Sequence, residues 1–332
     1  MVSVEQLITD LLAGNRRALA RVITRVENES PEAEAILAAL YPKTGNGYLI
    51  GVTGAPGSGK STLVNALALY LRKLGKTVGI VAVDPTSPFT QGAILGDRIR
   101  MRELSGDPGV FIRSMAARGS LGGLARNTSD VVRVLDAAGF DYILIETVGA
   151  GQSEVAIAST AHTTLVIEAP GMGDDIQANK AGILEIADIL VVNKSDRAGA
   201  DNTIRALKAM LDLGHRMQTV IHHGSMMIQS DSPAEPQFDS WQVPVMKVVA
   251  SDNTGIPELF EAIQQHREHL QTSGLHLERE KARLETELLE RLQEALLDRL
   301  LAATPQERLQ TIVTEMTQRQ LTPAQAVNML LD

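Results

Sequence analysis

Gly54-Ala55-Pro56-Gly57-Ser58-Gly59-Lys60-Ser61 follows the apolar run Leu49-Ile50-Gly51-Val52-Thr53 and precedes the helical stretch Thr62 to Leu71. This is G-x-x-x-x-G-K-[ST] in the strand and helix context that gives the pattern its meaning. Glycines let backbone N–H groups converge on phosphate oxygens, and the helix N-terminus adds its dipole. Lys60 is then the candidate for the β and γ phosphates and Ser61 for magnesium. Gly54, Ala55, Pro56, Gly57, Ser58, Gly59, Lys60, Ser61 and Thr62 together form the candidate phosphate site. The plainer reading, a glycine-rich turn with an exposed lysine, does not account for the flanking strand and helix.

Outward from this loop, short apolar runs recur at Thr77 to Val83, Val110 to Arg113, Tyr142 to Glu146, Thr164 to Glu168, Ile189 to Asn193 and Val245 to Val249, beside Tyr48 to Thr53. Helical stretches between runs this apolar predict a mainly parallel sheet covered on both faces, hence an α/β P-loop NTPase domain over 47–272. An N-terminal helical segment covers 1–46. There Leu7, Leu11, Leu12, Leu19, Val22, Ile23 and Val26 fall at helix spacing, and Ser30-Pro31 reads as cap and first residue of a helix to Leu40. Beyond Gly274 a helical region covers 273–332. Leu284, Leu288, Leu292, Leu296 and Leu300 recur every four residues, a break falls at Thr304-Pro305, and Thr322-Pro323 opens a last helix. Gly224 to Ser240 is a polar, proline-containing excursion.

The chain has 332 residues, 44% hydrophobic and 21% charged, with 40 acids against 31 bases and a formal charge of -9. That composition supports a sizeable core and argues against disorder. It also weighs against general nucleic-acid or anionic-membrane binding, which needs clustered basic residues. An aromatic content of 3% argues against a base-stacking platform. No cysteine is present, which excludes disulfides, thiolate metal sites and a thiol nucleophile within this sequence. With no signal-like start and no apolar run of membrane-spanning length, the expectation is a cytoplasmic protein.

Asn193-Lys194-Ser195-Asp196 stands at the end of an apolar strand and matches N-K-x-D, the guanine-reading element of GTPases. A carboxylate at Asp196 accepts from both guanine N1–H and the 2-amino group. Adenine lacks that donor pair and leaves the carboxylate unpaired. Lys194 can cover the base plane and Asn193 can tie neighbouring loops together. Asp84 and Glu146 close two strands at their carboxyl ends, where open α/β sheets bind ligands. An acid beside a triphosphate is explained by magnesium, with N-capping as the plainer alternative. Glu146-Thr147-Val148-Gly149 takes the place of the D-x-x-G switch, with Gly149 offering its N–H to the γ phosphate.

These residues, with Asp84-Pro85-Thr86-Ser87-Pro88, Gly92 to Arg98, Glu146 to Glu154 and Gly171-Met172-Gly173-Asp174-Asp175-Ile176-Gln177, resemble the MeaB/ArgK-type G proteins. These are P-loop GTPases of the SIMIBI class that chaperone adenosylcobalamin-dependent methylmalonyl-CoA mutase and its relatives. The resemblance spans nearly the whole chain. It implies GTP and GDP as ligands with Mg²⁺ and an acyl-CoA mutase as partner; slow intrinsic hydrolysis that a partner accelerates is expected because no motif places an arginine as a finger. It also implies a homodimer built by the C-terminal helices. By position, Asp84 and Asp97 fall in the first switch, with Asp97 and Glu146 around magnesium. Gly149 to Glu154, including Gln152, correspond to switch II, and Gly171 to Lys180, with Gln177 and Lys180, to a third switch facing the mutase.

Two departures stand out. The guanine-contacting loop reads Val248-Val249-Ala250-Ser251-Asp252 where the family has Ser-Ala, so backbone N–H groups at Ala250 and Ser251 are the candidates for guanine O6. The excursion through Ser232 and Pro236 has no family counterpart. No arginine is placed by motif as a finger, and Arg98, Arg100 and Arg102 form a small basic cluster in the first switch. Two other functions share this core. A nickel metallochaperone would need His or Cys ligands, and His222-His223 is the one adjacent pair among seven histidines. An amino-acid-transport kinase or ATPase conflicts with the guanine preference expected of Asp196.

Overall fold

The computed structural model describes residues 3–85, 103–104, 106–117, 121–147, 160–171, 186–218 and 241–331. Its centre is a seven-stranded sheet formed by β1 (Tyr48–Gly54), β2 (Val78–Pro85), β3 (Val110–Ala117), β4 (Tyr142–Thr147), β5 (Thr163–Glu168), β6 (Ile189–Val192) and β7 (Val245–Lys247). The spatial order is β3-β2-β4-β1-β5-β6-β7. Every neighbouring pair is parallel. The chain leaves β1 for β2 on one side and crosses from β4 to β5 on the other. The central strand therefore ends at the switch in strand order, where α/β sheets bind ligands.

The side chains of β1, β4, β5 and β6 are buried throughout, as their uniformly apolar sequences predict for strands covered on both faces. Alternation sorts them. Ile50, Val52, Leu144, Leu165 and Ile167 join one core with Leu63, Leu67 and Leu71 of α4 (Lys60–Lys73) and Leu259 and Ile263 of α7 (Ile256–Thr272). Leu49, Ile143 and Ile145 face the opposite way, onto Val131 and Leu135 of α5 (Leu121–Ala137). The N-terminal helices α1 (Val4–Leu12), α2 (Arg16–Glu27) and α3 (Ala33–Leu40) share that second core through Leu7, Leu11, Val22, Ile23 and Ile36. Val166, Leu190 and Val192 continue the same face onto Ile204 and Leu207 of α6 (Ala200–Gln218).

Several boundaries differ from the sequence reading: β3 runs on to Ala117 and β2 to Pro85, and three others have a visible cause. Ser30-Pro31 does not cap α3: Ala33 N–H bonds Ser30 O at 2.8 Å, so a tight turn intervenes and the regular helix starts two residues later. β2 starts at Val78 because Thr77 is held by Asp141, whose carboxylate accepts its N–H at 2.7 Å and its hydroxyl at 2.8 Å. β7 stops at Lys247, and the following residues turn back through an antiparallel Val249–Thr254 bridge.

At the amino ends of the strands lies a buried polar row. The Tyr48 hydroxyl is 2.6 Å from Thr163 Oγ1, which is 2.8 Å from His266 Nδ1. His266 Nε2 lies 3.2 Å from Asp188 Oδ1, and the Trp241 ring packs at a tilt against His266, with centroids 4.8 Å apart. The row lies far along the strands from the phosphate loop, and in it His266 Nε2 is near Asp188 without a hydrogen bond.

Two units divide the chain, Met1–His276 and Leu277–Asp332. The second is helical, comprising most of α8 (Leu275–Ala303), then α9 (Gln306–Thr317) and α10 (Pro323–Leu331). The last helix opens on a capping box: the Thr322 hydroxyl accepts Gln325 N–H, and Gln325 Oε1 accepts Thr322 N–H. No residue of α8 is buried, and Leu288, Leu292 and Leu296 are 66%, 51% and 56% exposed. No helix among the described residues is long and apolar enough to cross a membrane.

Candidate functional site

β1 runs directly into the glycine-rich loop, and α4 starts at Lys60. Two glycines are dictated by conformation and space. Gly54 has φ +134 and a Cβ there would collide with the Ile167 carbonyl of β5. Gly59 has φ +95, and a Cβ there would collide with the Asn193 amide. Lys60 is buried, its Nζ donating to Gly54 O at 2.7 Å and Ala55 O at 3.1 Å, so its charge is held inside the loop. Ser61, in the first turn of α4, donates its hydroxyl to Glu146 Oε1 at 2.6 Å, and both residues are buried.

The chain therefore brings the first motif against the strand-end acid by alternation. Glu146 has the parity of Leu144, which packs on the α4 face, so the α4 N-terminus is within its reach. A hydroxyl that gives its proton to a carboxylate keeps its lone pairs for a cation, and the two groups supply hard oxygen donors of the kind Mg²⁺ takes. Among the described residues no group of three or more His, Asp or Glu forms a self-contained metal cage. Magnesium is commonly held by one or two protein ligands, with phosphate oxygens and water completing its shell.

Asn193 joins three loops. Its Nδ2 donates to Ser58 O at 2.9 Å and reaches Gly59 O at 3.4 Å, while its Oδ1 accepts Lys194 N–H at 2.8 Å and Ala250 N–H at 3.1 Å. Lys194 adopts φ +55, and its Nζ donates to Gly57 O at 2.7 Å. Asp196 stands exposed at the surface. The base-side loop closes through Val249 N–H to Thr254 O at 3.0 Å and Thr254 N–H to Asp252 Oδ1 at 3.1 Å. Since Ala250 N–H is directed to Asn193, Ser251 is the member of the pair left facing outward, and it is exposed.

The structure thus gathers Gly54 through Thr62, Glu146, Asn193, Lys194, Asp196, Ala250 and Ser251 at the carboxyl edge of the sheet. Asp84 closes β2 at the same edge by its backbone. Asp97, Gly149, Gln152, Gln177 and Lys180 lie outside the described residues, as do Arg98, Arg100, Arg102 and His222-His223. Motif reading missed three residues. Glu168, buried at the carboxyl end of β5, carries the carbonyl that accepts Asn193 N–H at 2.8 Å. Thr53 and Thr147, both fully buried, join their hydroxyls at 3.0 Å between β1 and β4. Thr53 stands beside Gly54 and Thr147 inside Glu146-Thr147-Val148-Gly149, which could have flagged them, whereas nothing local singles out Glu168.

Among the described residues three carboxylates are perturbed: Asp201 is held low chiefly by its hydrogen bond from Lys247, and the other two are Asp141 and Asp107. Burial pushes the Asp141 pKa up, but hydrogen bonds from Thr77 and the charges of Lys76 and Arg72 outweigh it and hold the group below the usual carboxylate range. Asp107 is held low chiefly by the Arg72 hydrogen bond at 2.9 Å and by Gly109 N–H.

With this geometry in hand, comparison with known proteins is specific. The family described as "Methylmalonyl Co-A mutase-associated GTPase MeaB" matches residues 19–305. A relative from Pyrococcus abyssi is 46% identical over 99% of this chain and 96% of its own. The "Methylmalonic aciduria type A homolog, mitochondrial" of Caenorhabditis elegans is 34% identical over 82% of this chain and 68% of that protein. Among solved structures, "LAO/AO transport system kinase" superposes with a TM-score of 0.70 at 25% identity, covering 99% of this chain and 98% of that one.

Proposed function

The chain belongs to the MeaB family of methylmalonyl-CoA mutase-associated GTPases, and on that premise we propose that it gates cofactor loading, and protects or reactivates, an adenosylcobalamin-dependent acyl-CoA mutase. GTP hydrolysis is the activity of the family. The observation that carries the guanine reading is the Asn193 side chain, which ties the phosphate loop to both the N-K-x-D segment and the loop of Ala250 and Ser251. Asp196 is the group that reads guanine, its carboxylate accepting N1–H and the 2-amino group, and Ser251 serves O6.

Phosphoryl transfer to water needs positioning and charge neutralisation rather than a covalent nucleophile. Ser61 and Glu146 would hold Mg²⁺, with Asp84 and Asp97 near it, and the ion when bound neutralises charge on the phosphates. Lys60 brings a buried positive charge to the same oxygens, and the loop N–H groups orient them. Gly149 would offer its N–H to the γ phosphate and so report hydrolysis to Gln152, Gln177 and Lys180 on the switch segments. No arginine finger is assigned among these residues, so a slow intrinsic rate that the mutase raises is expected. The transport-kinase name of the solved relative points to the other reading, which Asp196 disfavours because ATP would leave its carboxylate unpaired.

The exposed leucines of α8 support a homodimer formed through the C-terminal helices, since so wide an apolar face calls for cover. Capture of an acyl-CoA mutase by the immobilised protein, compared in GTP and in GDP, tests the partner. Nucleotide-dependent retention of the mutase is the expected result, and equal absence in both states would contradict the reading.

A further inference from the structure

The last register pair between β1 and β4 is Val52 with Glu146. Past that rung β1 continues against β5 as far as Gly54 opposite Ile167, and β4 continues against β2 as far as Thr147 opposite Val83. The strand that delivers the phosphate loop and the strand that delivers Glu146 therefore part where the site begins. One side-chain bond spans the gap: Thr147 Oγ1 donates to Thr53 Oγ1 at 3.0 Å, with both residues 0% exposed.

Alternation puts this bond on the far face of the sheet. Thr53 and Thr147 share parity with Leu49, Ile143 and Ile145, which pack towards α5, whereas Glu146 points to the α4 face and meets Ser61. The two strand ends are thus bridged on one face by Ser61 and Glu146 and on the other by the threonines. Both threonines are β-branched and stiff at χ1, so the bond fixes backbone as well as side chains. An apolar pair of the same shape would fill the space equally well. What the hydroxyls add is a directional link of set length, one residue from Glu146 and one from Gly54.

We propose that Thr147 and Thr53 are positioning residues for GTP hydrolysis, holding Glu146 and the phosphate loop at the separation that the magnesium site requires. The proposal rests on the reading of Ser61 and Glu146 as the magnesium-holding pair. A misplacement on the order of 1 Å at such a site can lower turnover by about a hundredfold, and a partial relaxation by about tenfold is expected here.

The test compares Thr147→Val, Thr147→Ser and the double variant Thr53→Val/Thr147→Val with the full-length parent. Three readouts are taken: thermal midpoint of the nucleotide-free protein, GDP affinity with magnesium and with chelator, and single-turnover GTP hydrolysis. Thr147→Val is expected to lose about tenfold in turnover and most of the gain in GDP affinity that magnesium gives, while Thr147→Ser keeps both. Replacing both hydroxyls by matched apolar groups is nearly neutral for stability. The double variant should therefore recover the thermal midpoint without recovering turnover. If its turnover returns with its stability, or if Thr147→Val hydrolyses GTP like the parent, the positioning role is overturned. Glu146→Gln separates the premise: should it keep the magnesium effect, the magnesium reading fails and the proposal fails with it. Should Glu146→Gln lose that effect while Thr147→Val keeps it, only the positioning proposal fails.

Discussion

Replacing Asn193 by Ala removes the one side chain shared by the phosphate loop, the N-K-x-D segment and the base-side loop. Three of its hydrogen bonds are well formed, at 2.9 Å to Ser58 O, 2.8 Å from Lys194 N–H and 3.1 Å from Ala250 N–H. Ser58 and Ala250 are themselves buried, so the groups left behind gain little from water. At about 1 kcal/mol net for each bond, the nucleotide-free protein should lose roughly 3 kcal/mol of stability. The same loosening takes order from the loops before nucleotide binds, and a loss of that size is worth about two orders of magnitude in an equilibrium constant. Urea unfolding without nucleotide measures the first effect and GDP titration calorimetry the second, with a ten- to hundredfold weaker Kd expected if part of the loss reaches the bound state. Asn193→Asp, which keeps the shape and the acceptor but loses the donor, should not restore either. A variant with the parental unfolding midpoint and the parental GDP affinity would refute the argument that Asn193 organises the site.

Other outcomes follow from the same geometry. Asp196→Ala, at an exposed position, should leave the unfolding midpoint near the parent's while weakening GTP binding about a hundredfold and narrowing the preference over ATP; competition binding reads both. Asp141 and Asp107 are held below the usual carboxylate range, so their stabilisation is complete above the unfolded pKa of about 4 and is lost as pH falls through the depressed values. The stability gap between the parent and Thr77→Val should accordingly be widest at neutral pH and close below about pH 4, which unfolding curves at stepped pH can follow. Lysine at Leu288, Leu292 and Leu296 in the full chain should give a folded monomer by light scattering, and a dimer that survives would contradict the proposed C-terminal interface.

The strands were legible because a buried parallel sheet forces near-continuous apolar runs, and β1, β4, β5 and β6 are buried at every position, with polar residues only towards their ends. The phosphate loop was legible because its chemistry needs small residues at fixed spacing, as the Gly54 and Gly59 conformations bear out. What local pattern could not carry is pairing across long separations. Thr53 meets Thr147, Ser61 meets Glu146 and Asn193 meets Ala250, and nothing local to a threonine or serine names its partner. Ser30-Pro31 failed for a related reason: capping is a local preference, and here the turn from α2 into α3 is set by how Ile36 and Leu40 enter the core shared with α2 and α5. Tyr48 and His266 carry no motif, yet with Thr163 they form the buried row at the amino ends of the strands, against which the part-buried Trp241 packs.

GTP turnover measured alone and with an adenosylcobalamin-dependent acyl-CoA mutase bears most directly on the proposed mutase-gated GTPase. A slow basal rate raised by the mutase, by an amount approaching the roughly 10³-fold or more that a supplied arginine gives other GTPases, is the predicted result. A fast basal rate that the mutase leaves unchanged would contradict it.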